Sequence, residues 1–137
     1  MIPLKKILHP FDTIGEKLRE SEIRQRFFTE KYDLEKTVQN SKEKGVSSNL
    51  ICDKQVVVSL TTHGSRLYDV HLAIESIMQG TIRPNKIILW ISEKDKSVAL
   101  PVYLQNQQMR GLEIKYCTDI RSYTKLIPAL QQSCYRY

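Results

Sequence analysis

Three short polar stretches hold most of the groups able to do chemistry. They are Thr61-Thr62-His63-Gly64-Ser65-Arg66, then Ser92-Glu93-Lys94-Asp95, then Thr118-Asp119-Ile120-Arg121-Ser122-Tyr123-Thr124-Lys125. The first offers hydroxyls and backbone N–H groups ahead of a helix start, together with a guanidinium, a combination able to hold a diphosphate. Arg121 and Lys125 flank the start of the helix after the third stretch, where a pyrophosphate would meet more cations. Each group also has a plainer use, since Thr and Ser before a helix usually cap it and a loop arginine is usually solvated. His63 has no identifiable orienting partner, and it is assigned no catalytic role even with Glu93 as a conceivable neighbour. Neither GxGxxG nor GxxxxGK[ST] occurs, which counts against dinucleotide and Walker-type sites. Trp90 reads as core and His71 as surface.

These stretches matter only if the chain brings them together, and the intervening pattern does so. Val56-Val57-Val58-Ser59-Leu60 is a strand run. Val70, Ile74, Ile77 and Met78 recur at helical spacing, and Ile87-Ile88-Leu89-Trp90-Ile91 is a second strand behind Pro84-Asn85. Pro101 opens a short helix through Leu104 and Gln108, Gly111 ends it, and Leu112-Glu113-Ile114-Lys115-Tyr116 alternates as a third strand. A last helix runs from Lys125 to about Gln132. Strands separated by helices imply an α/β fold, a partial doubly wound parallel sheet of three strands in the order 3-2-1. Right-handed crossovers then place all three polar loops at the carboxyl ends of the strands.

Upstream, residues from Asp12 to about Lys44 are rich in Glu, Lys, Arg and Gln and predict a long helix capped by Asp12 or Thr13. Its apolar positions Phe11, Ile14 and Leu18 give way to Ile23, Phe27, Leu34 and Val38, with Ser21 and Gln25 where a continuous seam needs apolar groups. Such an interrupted stripe suits a helix lying on another surface or pairing with a second copy. Gly45-Val46-Ser47-Ser48-Asn49 reads as a linker. The predicted division is therefore 1–50, helical segment and linker, and 51–137, the sheet domain.

Composition narrows the function classes. The chain has 137 residues, of which 41% are hydrophobic and 26% charged, so it can bury one domain core. The formal charge of +6 is dispersed, with no basic run interleaved with aromatics, which disfavours a nucleic-acid partner. Cys52, Cys117 and Cys134 are too widely spaced for a disulfide framework or a zinc site, and a reducing, cytoplasmic setting is expected. No signal-like core opens the chain and no apolar run nears the ~18 residues of a membrane span, so no transmembrane segment is expected.

A family resemblance runs through these elements. Val57-Val58-Ser59-Leu60-Thr61-Thr62 followed by Arg66, His71-Leu72-Ala73-Ile74-Glu75-Ser76-Ile77-Met78-Gln79, and Thr81, Pro84 and Lys86 through Ser92 resemble the opening of bacterial family-2-like glycosyltransferases. The likeness continues through Arg110-Gly111-Leu112-Glu113-Ile114 and Asp119 to Ser122-Tyr123-Thr124-Lys125-Leu126-Ile127-Pro128-Ala129-Leu130. It implies the donor half of a GT-A fold, binding a nucleotide diphosphate sugar for transfer to a polysaccharide or glycolipid acceptor. Thr61, Thr62 and Arg66 would receive the nucleotide, Ser92 and Glu93 would approach base or ribose, and Asp119 and Lys125 would position nucleotide and phosphates. Many relatives carry an acidic pair where this chain has Ile91-Ser92. In the family the next strand brings a DxD motif for Mn²⁺ or Mg²⁺ and a later carboxylate acts as base. Both are expected only in a full-length relative, so a truncated, metal-free and inactive fragment is expected here, with no catalytic or metal residue. The alternative is a non-catalytic α/β binding or interaction module. With no strand to follow, the first strand would be an edge, and self-association through that edge or the N-terminal helix is expected.

Overall fold

The β-branched runs resolve into a three-stranded parallel sheet in a computed structural model that describes residues 5–51 and 53–133. Its strands are β1 (Val57–Thr62), β2 (Lys86–Ser92) and β3 (Leu112–Cys117), in the order β1-β2-β3, which is the expected 3-2-1. Val58, Leu60 and Thr62 stand beside Ile87, Leu89 and Ile91, and these beside Leu112, Ile114 and Tyr116, so one face is continuously apolar up to its carboxyl end. Helices α2 (Val70–Met78) and α3 (Val102–Met109) cover that face through Ile74, Met78 and Leu104. Two successive crossovers of one hand put both helices on the same side. As foreseen, β1 is an edge, and its residues are accordingly only half-buried over most of its length.

The opposite face is also dry. Ile88 and Trp90 are buried as deeply as the core. Above them Glu113 bridges Lys86 at 3.0 Å and Lys115 at 3.2 Å, and the Lys115 ammonium stands 5.9 Å from the Trp90 ring centroid. Lysine stems cover apolar surface while their charges stay wet. Burial pushes the Glu113 carboxyl up, but hydrogen bonds and charge from both lysines outweigh it and hold it below the usual carboxylate range. The Trp90 indole donates to Ser59 Oγ at 3.0 Å, and Ser59 donates in turn to the Lys125 carbonyl. The chain after β3 therefore doubles back across this face to reach β1, ahead of α4 (Ile127–Ser133).

A buried polar knot joins α2 to α3. Glu75 is 0% exposed and Arg110 5% exposed, and one guanidinium nitrogen donates to both carboxylate oxygens at 2.9 and 2.7 Å. Gln107 donates to the same carboxylate at 3.0 Å and to the His71 carbonyl at 2.9 Å, while Arg110 Nε donates to the Glu43 carbonyl at 2.8 Å. Residues 45–49, expected as a linker, are held to the sheet domain. The Gly45 N–H donates to the Arg110 carbonyl, Ser47 N–H to the Pro84 carbonyl, and Asn85 to the carbonyls of Ser47 and Asn49. A side chain at Gly45 would collide with Met78, with atoms at 2.3 and 2.5 Å, so the segment can approach the core only with glycine there.

Contacts divide the chain into two units that meet after Asp33. The long helix α1 (Lys5–Asn40) passes through that boundary. It begins before the expected cap at Asp12 or Thr13, and Pro10 lies within it. It ends four residues before Lys44, where the Ser41 N–H closes the last turn on Thr37 and the Asn40 amide takes the Lys36 carbonyl. Residues 13–30 are exposed, Phe27 and Phe28 included.

Candidate functional site

The polar loops take their shapes from a few local contacts. After β1, His63 stays extended and Gly64, at φ 56°, turns the chain into a short 3-10 segment (Gly64–Tyr68) leading to α2. Only glycine adopts that backbone freely. Its N–H points at Asp95 Oδ2, 3.4 Å away, which ties the first loop to the second. After β2, Ser92 Oγ accepts from the Lys94 N–H and caps the turn Glu93–Asp95.

The third loop is the most constrained. Asp119 Oδ1 accepts from the Arg121 N–H at 2.8 Å and from Thr124 Oγ1 at 3.3 Å, and Thr124 Oγ1 accepts from the Ile120 N–H at 2.9 Å. This ring holds Arg121 at φ 56°, a left-handed backbone that costs a non-glycine residue about 1–3 kcal/mol. Strain of that kind persists where the surroundings over-determine it, commonly at ligand sites.

Together the loops enclose a hollow of about 330 Å³ at the carboxyl end of the sheet. Thr61, Thr62, His63 and Arg66 line it from the first loop, Ser92 from β2, and Asp119, Arg121 and Thr124 from the third. The volume is at the small end of the range for ligand clefts. Thr62 is 4% exposed and its Oγ1 has no hydrogen-bond partner. A buried hydroxyl left so costs about 1–3 kcal/mol, which a ligand oxygen at that wall would recover. Two guanidiniums and one carboxylate line the hollow, and one oxygen of that carboxylate is already committed to its loop. The site therefore favours an anion. Cys117 ends β3, where burial pushes its thiol up and the charges of Glu93 and Asp119 push it further, which disfavours the thiolate.

Of the residues expected to bind a nucleotide, Thr61, Thr62, Arg66, Ser92 and Asp119 come together on this wall. Glu93 and Lys125 do not line it. Glu93 lies in the capped turn, and Lys125 contributes its carbonyl to Ser59 with an exposed side chain. Arg121, conspicuous in the sequence by charge alone, is brought in by its backbone conformation, and Thr124 by the Asp119 ring. His71, expected at the surface, is 2% exposed and stacks on Tyr103 with ring centroids 4.5 Å apart. The signal was present, because His71, Ile74, Glu75 and Met78 keep the i, i+3, i+4, i+7 spacing of an inward helix face. Among the described residues no three His, Cys, Asp or Glu side chains are grouped to hold a metal, and no helix is long and apolar enough to cross a membrane. No family model, curated protein or solved structure matches the chain.

Proposed function

We propose that the hollow receives the diphosphate and nucleoside of a sugar-nucleotide donor, and that the chain is the donor-binding half of a glycosyltransferase of the GT-A kind, acting toward a polysaccharide or glycolipid acceptor. One observation carries the reading. Arg66, Arg121 and the unpartnered Thr62 hydroxyl face one cleft at the carboxyl ends of a parallel sheet, where the chain turns back from β3 to β1. Open α/β sheets bind ligands where their winding reverses. Guanidiniums suit phosphate because their forked donors match two of its oxygens, and Thr62 adds a third donor. The Thr61 and Ser92 side chains on the same lining add hydroxyls to the shell.

A Mn²⁺ or Mg²⁺ ion, which the GT-A reading would imply, does not fit the described residues. Asp119 is the one carboxylate among those lining the hollow, and hard divalent cations need several oxygen ligands. Charge neutralisation in this half rests on the two arginines.

Titration calorimetry with UDP and GDP tests the proposal. Arg66→Ala and Arg121→Ala should each weaken binding by roughly tenfold, the worth of a charge-assisted hydrogen bond. Both side chains are exposed, so the unfolding midpoint should stay within ordinary surface-substitution effects. Binding unchanged in both variants would remove the phosphate assignment.

A further inference from the structure

Helix α1 carries two apolar stripes on opposite sides. At ~100° per residue, Ile23, Phe27, Leu34 and Val38 fall along one of them. That stripe ends in the globular unit, where Val38 is 0% exposed. Ile14, Leu18, Ser21, Gln25, Phe28 and Tyr32 fall within roughly 40° of a common line on the other side. Their alternating steps of four and three are the d and a positions of a heptad. The four apolar members are exposed at 53%, 60%, 60% and 64% in chain order. The interruption read from the sequence is thus two stripes superposed: the first is covered only toward Val38, since Ile23 and Phe27 are exposed, and the second, longer one has no partner among the described residues.

We infer that the second stripe is the seam of a parallel, in-register two-stranded coiled coil, and that its occupant is α1 of a second copy of this chain. Charge selects this occupant. Between Thr13 and Asp33 the cations Lys17, Arg19, Arg24, Arg26 and Lys31 are balanced by Glu16, Glu20, Glu22, Glu30 and Asp33. A helix that binds an anionic bilayer gains from a net cationic charge, and this segment has none between Thr13 and Asp33.

The flanks set the direction. Lys17, Arg24 and Lys31 line one border of the seam, with Glu22 and Thr29 on the other. In a parallel pair each border residue faces the one five positions on in the other helix, so Lys17 faces the partner's Glu22, twice by symmetry. An antiparallel pair would instead set Arg24 against the partner's Arg24, Glu22 against the partner's Glu22 and Lys17 against the partner's Lys31. Parallel alignment meets its one like-charge facing, Lys31 with the partner's Lys36, beyond the last seam residue. At the centre Gln25 faces its own copy, an amide pair of the kind that fixes register at some cost in affinity. The Arg26–Glu30 pair, at 2.7 Å, lies on the far side and supports the helix without touching the seam.

Sedimentation equilibrium on the full chain, from low to high micromolar, tests the inference. The parent should dimerise, and the variant carrying Leu18→Glu and Phe28→Glu should be monomeric with unchanged circular dichroism and Trp90 emission, since both side chains are exposed. Lys17→Glu and Glu22→Lys should each weaken the dimer by about threefold, and the two together should restore it. A parent that stays monomeric overturns the inference. So does a dimer indifferent to Leu18→Glu/Phe28→Glu, which would point to the β1 edge. Strengthening by Lys17→Glu would refute the parallel arrangement. Pelleting of a monomeric parent with phosphatidylserine vesicles, lost in the double variant, would assign the stripe to a membrane and overturn it likewise.

Discussion

Removing the Glu75 carboxylate tests the buried knot most directly. In Glu75→Ala the Arg110 guanidinium, 5% exposed, loses both of its short bonds and keeps only the Glu43 carbonyl. Gln107 loses one of its two acceptors. Breaking a buried ion pair from one side leaves a charge that neither water nor protein solvates, at a cost of about 3–5 kcal/mol. A domain of this size has ~5–15 kcal/mol in all, so about a fifth or more of its stability should go, with a fall of roughly 15–30 °C in the unfolding midpoint. The companion variant Glu75→Leu/Arg110→Met leaves no charge stranded. It should cost less than either single change, below about 2 kcal/mol, mostly for the lost bond to Glu43. Urea unfolding can be followed by emission from Trp90, the single tryptophan and 3% exposed. A loss under about 1 kcal/mol in Glu75→Ala, or a double variant as unstable as the two singles added together, would refute the argument that stranded charge sets the cost.

Thr62→Val should raise stability by about 1 kcal/mol by deleting an unpartnered buried hydroxyl, while weakening nucleotide binding, read by calorimetry beside urea unfolding. Arg121→Gly should relieve the φ 56° backbone and hold or raise the unfolding midpoint, yet lose affinity as Arg121→Ala does. Glu113 is held below the usual carboxylate range when folded, so its contribution is present above the glutamate pKa of the unfolded chain and is lost as pH falls through the lower folded value. Glu113→Gln should therefore show a shallower acid fall in unfolding midpoint than the parent, by an amount small enough to suit a partly solvated group.

The sheet was legible because β-branched runs separated by helical spacing leave few alternatives, and their order followed from the handedness of crossovers. Five of the seven expected site residues met in one hollow for the same reason, since strand ends converge wherever the side chains point. What escaped depended on contacts between distant residues. Lys125 and Arg121 look alike in sequence, but Ser59 draws the backbone at Lys125 onto the sheet while the Asp119 ring turns Arg121 toward the hollow. His71 reads as exposed because histidine is usually so, although its spacing with Ile74, Glu75 and Met78 marks that helix face as inward. Helix α1, expected from Asp12 to about Lys44, runs from Lys5 to Asn40, so both of its ends lie earlier in the chain than its composition indicates.

Each strand in this sheet pairs with the next one in sequence, Val57 with Lys86 and Ile87 with Leu112, so each pairing closes a loop of roughly thirty residues or fewer. Parallel sheets often assemble slowly because their partners lie far apart along the chain, and here that delay is shortened. Strand β2 belongs to both pairings and cannot be bypassed, whereas β1 and β3 each join through one side only. The speed of assembly is therefore expected to be a property of β2, and the lifetime of the assembled state a property of its flanks. Stopped-flow refolding should show Ile88→Val slowing folding and Val58→Ala mainly hastening unfolding, and the reverse pattern would place the nucleus at an edge.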